Sequence, residues 1–525
     1  MSRRTAHSVE MDKTKETGQV FTPAYLVCDI LDTAGYVGKA CLQKHIIDNS
    51  CGNGAFLCEV VRRYCKAFFD ARSGRADYLD KPSGRADYFD ERSGRADSLR
   101  RSSDTTTLKE ELRTYIHGIE IDVEAHGECL QNLKLVAAEF GIENIDWDIL
   151  YDDTINVCKY DGKMDFVVGN PPYVRVHNLQ DTYTAVRKFH FADGGMTDLY
   201  LVFFEIGLRM LANGGKLCYI TPSSWLNSLA GKHLRDYIRK ERNLLRLIDL
   251  EHYQAFNATT YTLISLFQKG ERTDSFLYGR YLGEERVIKY VEAIYFEDAF
   301  IAGEIYLADA ATLERLRNIL LYGGTSYVSV KNGFATLADK VFIRQDFPFK
   351  EFVIPTIKAS TGKWYKAFYP YDKSGKPLSK ETLDAIPAIH EYLNDSKTTL
   401  LKGRKEDVFP EWYLYGRTQA LLDVYKNKYA INTCIRDVKS IKLNHVPEGH
   451  GVYSGLYILT EIPFDDIQKL LVSDNFIRYV SLLKKYKSGG YYTFNSKELE
   501  HYLNYNLAKF YHNDTQQRDL FTGDF

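Results

Sequence analysis

The residues best suited to chemistry lie in one short stretch, where an apolar run meets two prolines. Met164 and Phe166–Val168 precede Gly169, a pattern that predicts a short buried strand of the kind found in parallel sheets. The next four residues, Asn170–Tyr173, read Asn-Pro-Pro-Tyr, and the prolines end the strand because neither can donate a ladder hydrogen bond. The loop presents an amide, a backbone carbonyl and an aromatic ring. Together they could grip a planar molecule by its amino group, although an ordinary proline turn fits these four residues equally well.

A glycine-rich turn between a predicted strand and a predicted helix is the second candidate site. The strand is His45–Asp48, the turn is Asp48–Gly54 and the helix is Ala55–Phe69. Gly52 and Gly54 let the backbone approach a ligand closely. The spacing differs from the dinucleotide fingerprint and lacks the lysine of a triphosphate loop. The turn therefore favours a ligand that is neither a dinucleotide nor a triphosphate.

Acidic residues follow the next two predicted strands. Tyr115–Ile119 leads into Glu120, which is placed to accept hydrogen bonds from ribose hydroxyls. A third strand is predicted near Asn144–Ile145, and Asp148 after it could accept from an adenine amine. Parallel strands present their carboxyl ends at one edge of a sheet, so both carboxylates are expected beside the glycine turn.

The remaining elements of the first half predict the scaffold. Thr22 before Pro23 predicts the N-cap of a helix, whose free N–H groups could bind an anion or serve no ligand at all. The alternation continues to Gln268 and gives seven strands in a doubly wound α/β domain, with the last two strands as an antiparallel hairpin at the sheet edge. The predicted segments are helix Ala24–Ala34, helix Leu201–Leu211 stopped by glycines 214 and 215, strand Lys216–Thr221, helix Ser228–Glu241, strand Leu244–Leu250 and strand Thr262–Gln268.

The composition predicts a water-soluble globular protein of two or three domains. The chain has 525 residues, 45% hydrophobic and 26% charged, and its net charge of -2 means that any nucleic-acid surface must be local. No apolar run approaches the roughly 20 residues of a membrane helix and no signal peptide is recognisable, so a cytoplasmic location is expected. Nine cysteines without a CxxC or CxxH pair predict neither a metal site nor disulfides.

Residues 73–102 contain three ten-residue repeats that share the core Ser-Gly-Arg-Ala-Asp. Dense charge and few aliphatic residues predict an exposed, poorly ordered insertion that is dispensable for catalysis. The arginines also allow a basic arm that binds nucleic acid, but the aspartates largely offset their charge.

The second half of the chain is locally basic. Residues 331–500 contain 26 Lys and Arg against 20 Asp and Glu, and a helix over Leu307–Leu321 is predicted to bridge the domains. Aromatic residues interleave with cations in three segments, which could contact phosphates and bases or equally be solvated loops with hydrophobic anchors. These segments are Lys363–Lys366, Trp412–Arg417 and Lys484–Tyr492.

In their order along the chain, these motifs resemble the adenine-N6-specific DNA methyltransferases, especially the Taq-type enzymes and the Eco57-type modification methylases of restriction–modification systems. The matching positions are Phe21–Pro23, Asp48–Gly54, Glu120, Asp148, Asn170–Tyr173 and the Phe256 loop, within about residues 14–270. Cys51 departs from the family, in which many members carry an aromatic residue there. The resemblance implies a doubly wound, mostly parallel seven-stranded methyltransferase sheet and a C-terminal α+β DNA-recognition domain.

The resemblance also implies a site for the cofactor S-adenosylmethionine. Thr22 would bind its methionine carboxylate, Glu120 its ribose hydroxyls and Asp148 its adenine amine. The full cofactor-binding set is Phe21, Thr22, Asp48, Ser50, Gly52, Gly54, Glu120, Ile121, Asp148, Ile149 and Asn170. The catalytic set is Asn170, Pro171, Pro172, Tyr173 and Phe256. Asn170 and Pro171 would accept from the target amine while Tyr173 and Phe256 stack on the base, with Tyr261 as a competitor for the role of Phe256.

The expected protein is thus a site-specific DNA adenine-N6 methyltransferase that acts on an adenine flipped out of duplex DNA. The expected division is a methyltransferase domain over 1–270, a bridging segment over 271–330 and a target-recognition domain over 331–525. Double-stranded DNA and a separately encoded restriction endonuclease are the expected partners, and the expected state is a monomer without membrane contact. A protein glutamine methyltransferase, an RNA adenine methyltransferase and a non-catalytic DNA-specificity protein stay open as alternatives.

Overall fold

The computed structural model describes residues 22–72, 98–176, 183–193, 197–256, 260–403 and 405–512. By compactness, the chain divides into two units that meet between Asp309 and Ala310. The predicted bridging segment over 271–330 does not match this division, because its first strands pair with the sheet of the first unit. The functional meaning of the predicted domains stays a prediction.

A nine-stranded sheet forms the centre of the first unit. Its strands are β1 (Ile46–Asp48), β2 (Ile116–Glu120), β3 (Asp148–Tyr151), β4 (Met164–Gly169), β5 (Leu211–Pro222), β6 (Leu244–Asp249), β7 (Thr262–Gln268), β8 (Ser275–Leu282) and β9 (Val287–Tyr295). The spatial order is β3-β2-β1-β4-β5-β7-β6-β8-β9. The strands from β3 to β5 are parallel, whereas β7 runs antiparallel to both β5 and β6. The expected α/β class with a large, mostly parallel sheet is confirmed.

Helices connect these strands. The helices of the first unit are α1 (Ala24–Ala34), α2 (Ala55–Arg72), α3 (Ser98–Tyr115), α4 (Val123–Glu139), α5 (Tyr183–Val186), α6 (Leu199–Met210), α7 (Lys232–Glu241) and α8 (Phe296–Ala299), and a short hairpin of β10 (Phe300–Ile301) and β11 (Glu304–Ile305) follows. The core includes buried aliphatic residues of α1, α2 and α4 and of the strands β1, β2 and β4. The short strands β1 and β4 thus read as nearly continuous apolar runs, as strands buried on both faces do.

Several predicted details of this unit are wrong. The sheet has nine strands instead of seven, and the β6–β7 hairpin lies inside the sheet because β8 and β9 extend it. The third strand is β3, four residues later than predicted. Helix α6 ends at Met210 without a glycine stop, and Gly215 lies in β5, where a Cβ would stand 2.6 Å from the Met164 carbonyl oxygen. Close strand approach therefore explains this glycine.

The end of the repeat segment 73–102 is helical. Helix α3 begins at Ser98 and includes the last five residues of the third repeat, 98–102. Leu108 and Leu112 of the same helix are fully buried. Residues 73–97, which carry most of the repeat prediction, lie outside the described residues.

The second unit is built from three small sheets and seven helices within the described residues. The sheet orders are β12-β20-β16-β18, β13-β15-β14-β19 and β17-β22-β21. The strands are β12 (Ser329–Asn332), β13 (Ile343–Arg344), β14 (Val353–Lys358), β15 (Lys363–Phe368), β16 (Lys428–Ile431), β17 (Cys434–Ile435), β18 (Leu443–Val446), β19 (Gly451–Tyr453), β20 (Leu456–Leu459), β21 (Tyr486–Lys487) and β22 (Tyr491–Thr493). The helices are α9 (Ala310–Leu320), α10 (Asp339–Phe342), α11 (Lys380–Asp384), α12 (Pro387–Leu401), α13 (Phe464–Leu471), α14 (Asp474–Leu482) and α15 (Ser496–His512).

An aromatic core changes the interpretation of one predicted DNA-contacting segment. Trp412, Tyr413 and Tyr415 are each less than 8% exposed and pack with the phenylalanines and tyrosines of this unit. Their rings are hydrophobic anchors and are not available for base stacking. Trp364, in contrast, is 43% exposed. Throughout the part of the chain that the structure describes, no helix combines the length and apolar character required to cross a membrane.

Candidate active site at the carboxyl ends of β1 and β4

The order of the parallel strands reverses between β1 and β4. From β1 the chain proceeds outward to β2 and β3, and then returns to β4 on the other side of β1. Crevices at such a switch point, at the carboxyl ends of the strands, are where open α/β sheets bind ligands. Asp48 ends β1, and Gly169 ends β4 just before Asn170. The two motifs recognised in the sequence therefore flank the same crevice.

Asp48 is the buried carboxylate of this crevice. It is 1% exposed, and its Oδ1 accepts a hydrogen bond from the Ser50 backbone N–H at 3.1 Å. A Cβ on Gly169 would stand 2.7 Å from the same oxygen, so glycine lets β4 pass close to the carboxylate. Burial, supported by the negative charge of Glu120, raises the pKa of Asp48 to about 7. A cationic ligand group would therefore be favoured beside it.

The glycine turn is fixed against the end of β2. Glu120 Oε2 accepts from the Gly52 N–H at 2.7 Å, and Oε1 accepts from the Asp122 N–H at 2.8 Å. Gly54 has φ +88°, and a Cβ there would stand 2.8 Å from Cys129 Sγ. Glu120 thus holds the turn in place, a structural role that its assignment to ribose hydroxyls did not include.

Buried Asn49 connects the turn to three other elements. Its side-chain oxygen accepts from the Tyr219 hydroxyl of β5 at 2.8 Å, and its backbone carbonyl accepts from the Thr154 hydroxyl at 2.6 Å. Its Nδ2 also lies 3.9 Å from the sulfur of Met210, at the end of α6. Asn49 is fully buried. No sequence pattern marks Asn49, because one asparagine within a turn has no spacing that distinguishes it.

Thr22 orients the amide of Asn170. The Asn170 Nδ2 donates to Thr22 Oγ1 at 3.2 Å. The predicted N-cap is wrong: Pro23 is the N-cap of α1 and no side chain caps that end, although the bounds of the helix are as predicted. Since Nδ2 points to Thr22, the amide oxygen lies at the other end of the group. Phe21, the neighbouring predicted residue, lies outside the described residues.

Two aromatic rings of the site meet edge to face. The rings of Tyr173 and Phe256 are 6.5 Å apart at an interplanar angle of 84°. The Tyr173 hydroxyl donates to the Ile220 carbonyl at 3.1 Å, and burial raises its pKa. The Tyr173 ring also contacts the ring of Tyr200 at 6.3 Å, whereas Tyr261 contacts the ring of His252. The role of Phe256 stays a prediction. Pro171 is buried and Pro172 half-buried in the same loop.

Asp148 does not lie at this edge. It is the first residue of β3 and pairs with His117, three residues or about 10 Å before the level of Glu120. Its carboxylate bonds to His117 Nδ1 at 2.7 Å and to Lys159 Nζ at 2.5 Å. Partial burial alone would raise the pKa of Asp148, but these two hydrogen bonds hold it well below its usual range. The structure therefore does not support its assignment to an adenine amine, nor that of its buried neighbour Ile149.

The carboxylate at the carboxyl end of β3 is Asp152. It is exposed, and its N–H donates to the Glu120 carbonyl at 3.1 Å, which places it beside the end of β2. Ile121, the residue that follows Glu120, is 62% exposed, which is unusual for a large apolar residue. Placing the third strand four residues later would have revealed Asp152 from the sequence. Asp152 and Ile121 thus offer an acceptor and an apolar contact for an aromatic ring.

The residues of this edge fit S-adenosylmethionine. Asp48 and Glu120 supply carboxylates for a cationic amino-acid group and for hydroxyls, and Ile121 with Asp152 suits a purine. The Ser50 hydroxyl oxygen is buried without a hydrogen-bond partner among the described residues, so it can serve a ligand. Burying such a group unpaired costs about 1–3 kcal/mol, which a bound ligand would recover.

Comparison with solved structures finds a protein of similar fold. The chain resembles the Type IIL restriction-modification enzyme MmeI, solved in complex with DNA, with a TM-score of 0.59 and 12% identity over 93% of this chain and 64% of that one. At this identity the likeness concerns the fold alone.

Sequence comparison then gives the family. Residues 83–256, which include the Asn-Pro-Pro-Tyr loop and Phe256, match the model of the Eco57I restriction-modification methylase family. The methyl donor indicated by this match is S-adenosylmethionine. The predicted resemblance to Eco57-type modification methylases and the predicted cofactor are confirmed.

Two curated relatives are similar over longer stretches. The chain is 25% identical to the Type II restriction enzyme and methyltransferase RM.Eco57I of Escherichia coli, over 77% of this chain and 47% of the relative. It is 28% identical to the Type II methyltransferase M.BstVI of Geobacillus stearothermophilus, over 48% of this chain and 41% of the relative. The chain thus spans less than half the length of these relatives.

Proposed function

We propose that this protein is a site-specific DNA adenine-N6 methyltransferase that modifies an adenine flipped out of duplex DNA, within a restriction–modification system. The observation that carries the proposal is the position of Asn170–Tyr173. This loop follows β4 at the switch point, beside buried Asp48 and opposite Phe256. The names of the relatives, which are Type II restriction–modification methyltransferases, support the same activity.

The loop suits an aromatic amine as the methyl acceptor. The lone pair of an adenine amine is delocalised into the ring, which makes the nitrogen a poor nucleophile. Asn170 Oδ1 and the Pro171 carbonyl could each accept one amine hydrogen and favour a pyramidal nitrogen. Thr22 supports this role because its hydrogen bond to Nδ2 sets the orientation of the amide. S-adenosylmethionine, when bound, supplies an activated methyl group, so the protein contributes mainly alignment and electrostatics.

The Tyr173–Phe256 ring pair suits a base that has left the duplex. Flipping costs stacking energy, and aromatic side chains on both faces of the base compensate for it. Tyr173 and Phe256 now meet edge to face, so they must rotate to sandwich a base between them. A glutamine side chain, the substrate of the alternative protein methyltransferase, needs no second ring. The ring pair therefore favours a nucleobase.

A labelling assay tests the proposal. In separate reactions, the protein is incubated with labelled S-adenosylmethionine and either plasmid DNA, RNA or protein. The DNA product is mapped by methylation-aware sequencing. We expect adenine-N6 label in DNA at one sequence motif. At saturating S-adenosylmethionine, Asn170→Ala should lower the rate by at least about 100-fold, in line with the loss of a positioned transition-state contact.

The matched control is Asn332→Ala, an exposed asparagine of the second unit, which should leave labelling unchanged. Label in RNA or in glutamine instead of DNA would replace the proposal with one of the alternatives. DNA binding without label in any substrate would indicate a specificity protein that lacks catalysis.

A further inference from the structure

A rigid basic loop in the second unit exposes three cations outside the aromatic-basic segments predicted from sequence. Arg436, Lys439 and Lys442 are exposed, whereas Ile435 and Ile441 are buried and anchor the loop. The alternation of anchors and cations directs all three charges away from the core. Such a loop offers a multivalent site for an anion.

Buried Asn432 fixes the conformation of this loop. Its Nδ2 donates to the Cys434 carbonyl at 2.8 Å and to the Ser440 carbonyl at 3.0 Å, and its Oδ1 accepts from the Lys442 N–H at 2.7 Å. Asp437 adds a capping box, since its Oδ1 accepts from the Ser440 N–H at 2.8 Å. A preformed loop loses little conformational entropy when it binds, so its cations are prepared for a partner.

A second cation-bearing hairpin lies against the loop. Strand β22 pairs with β17, the strand that leads into the loop, and the Arg436 guanidinium lies 5.1 Å from the centre of the Tyr491 ring. A Cβ on Gly490 would stand 3.5 Å from Arg436 Cδ, which shows how closely the hairpin tip approaches. Lys487 of β21 is exposed and pairs across the hairpin with Tyr491, the residue whose ring Arg436 approaches. The hairpin thus adds a fourth cation beside the first three.

These four cations have little acidic compensation. Asp437 Oδ2 lies 3.3 Å from Arg436 Nε. Lys439, Lys442 and Lys487 form no ion pair with any described residue. Asp437 is the only acidic residue within the ranges 434–444 and 484–492. The chain as a whole has a net charge of -2, so this surface is a local exception. Its natural partner is a polyanion.

We propose that Arg436, Lys439, Lys442 and Lys487, here called the basic strip, bind the phosphate backbone of duplex DNA. The proposal rests on the proposed function, which supplies DNA as the substrate. It shares Lys487 with the predicted Lys484–Tyr492 segment. It departs from the sequence prediction elsewhere, because the Trp412–Arg417 segment contributes buried anchors and the strip is centred on a loop without aromatic residues. Phosphate contacts set the register of a protein on DNA and carry no sequence information. The strip is therefore a positioning surface.

The test is DNA binding as a function of salt. A fluorescently labelled duplex of arbitrary sequence is titrated with the full-length protein in the presence of S-adenosylmethionine, and anisotropy gives the affinity at several salt concentrations. The variant carries Arg436→Ala, Lys439→Ala and Lys442→Ala. Loss of three phosphate contacts should lower the slope of log affinity against log salt by about 2.7. Affinity should fall by the same factor for every duplex sequence.

The matched control removes three exposed lysines of the same unit that lie elsewhere, by Lys350→Ala, Lys373→Ala and Lys376→Ala. An unchanged salt slope in this control, with a reduced slope in the strip variant, supports the proposal. Equal slopes in both variants overturn the strip while DNA methylation by the wild type stands. Wild-type protein that binds single-stranded RNA but no duplex overturns both the strip and the proposed function.

Discussion

Asp48 shows how burial prepares a residue for a cationic ligand. The carboxylate is enclosed by its own turn and by β4, so ionisation without a ligand leaves a negative charge in a poorly solvated site. Its pKa of about 7 in the folded protein lies above the roughly 3.9 of an unfolded chain. Between these values the folded state holds a proton that the unfolded state has lost. The contribution of Asp48 to stability therefore falls as the pH rises from about 4 to about 7.

The raised pKa of Asp48 predicts that its contribution to stability falls with pH while the affinity for a cationic ligand rises. Without ligand, Asp48→Asn should gain stability relative to wild type as pH rises from 5 to 8, by on the order of a few kcal/mol. Wild-type affinity for S-adenosylmethionine should tighten by up to about tenfold per pH unit below pH 7, because binding favours the ionised carboxylate. In Asp48→Asn the affinity should be weaker and nearly independent of pH. Denaturant unfolding and titration calorimetry measure the two quantities.

Asp236→Asn is the control, since Asp236 pairs with Lys232 on the surface of α7. It should follow the wild type in ligand affinity at each pH. Tight, pH-independent binding by Asp48→Asn would show that the carboxylate does not face the cationic ligand.

The sequence predicted single residues well where their position followed directly from a motif. Asp48 ends β1 and Gly169 ends β4 just before Asn170, as expected, because the two prolines after Asn170 cannot continue the ladder of hydrogen bonds. Asp148 was misplaced because isoleucines at 142, 145 and 149 allow more than one position for the strand. The contact between Thr22 and Asn170 joins residues 148 positions apart. No local pattern could reveal it.

At the scale of elements, Asn49 connects the glycine turn to β5, to the turn that contains Thr154, and to the end of α6. We expect Tyr219→Phe to loosen this connection, because it removes the donor to a buried amide oxygen. The unfolding free energy should fall by about 1–3 kcal/mol. The dissociation constant for S-adenosylmethionine should rise several-fold, while kcat at saturating ligand stays within about twofold because the Asn170 loop is untouched.

Tyr237→Phe provides a comparison with a similar loss of stability. The Tyr237 hydroxyl accepts from Asn243 Nδ2 at 2.8 Å. Tyr237 lies in α7, which is separate from the glycine turn. This variant should lose stability without a change in the dissociation constant. Equal dissociation constants in the two variants would reduce the Asn49 network to a purely structural role.

Elements with clear end signals were predictable and those without them were not. Helix α1 has the predicted bounds, because an apolar stripe ends at Gly35 in the left-handed conformation. Strands β8 and β9 were missed, since exposed residues interrupt their apolar pattern and β9 lies at the sheet edge. Tertiary pairing, not local pattern, makes them strands. The boundary of the first unit consequently lies at Asp309, beyond the predicted residue 270.

At the scale of the whole molecule, the division into two units predicts that the two ligands leave separate footprints. The proposed cofactor residues belong to the first unit and the basic strip to the second. Hydrogen exchange read by mass spectrometry on the intact protein can resolve the two regions. S-adenosylmethionine at about 100 times its dissociation constant should stabilise the first unit by about 2.7 kcal/mol. Exchange should slow in 46–54, 116–122 and 164–173, and stay unchanged in 434–444.

Duplex DNA should add the complementary footprint. We expect slower exchange in 434–444 and 484–492, together with the Tyr173 loop, because a flipped base would enter that loop while phosphates meet the strip. In the variant with Arg436, Lys439 and Lys442 replaced by alanine, the protection of 434–444 should disappear and the cofactor footprint should remain. Cofactor protection confined to the second unit would contradict the assignment of the crevice between β1 and β4. Strip protection that survives the triple replacement would show that another surface holds the DNA.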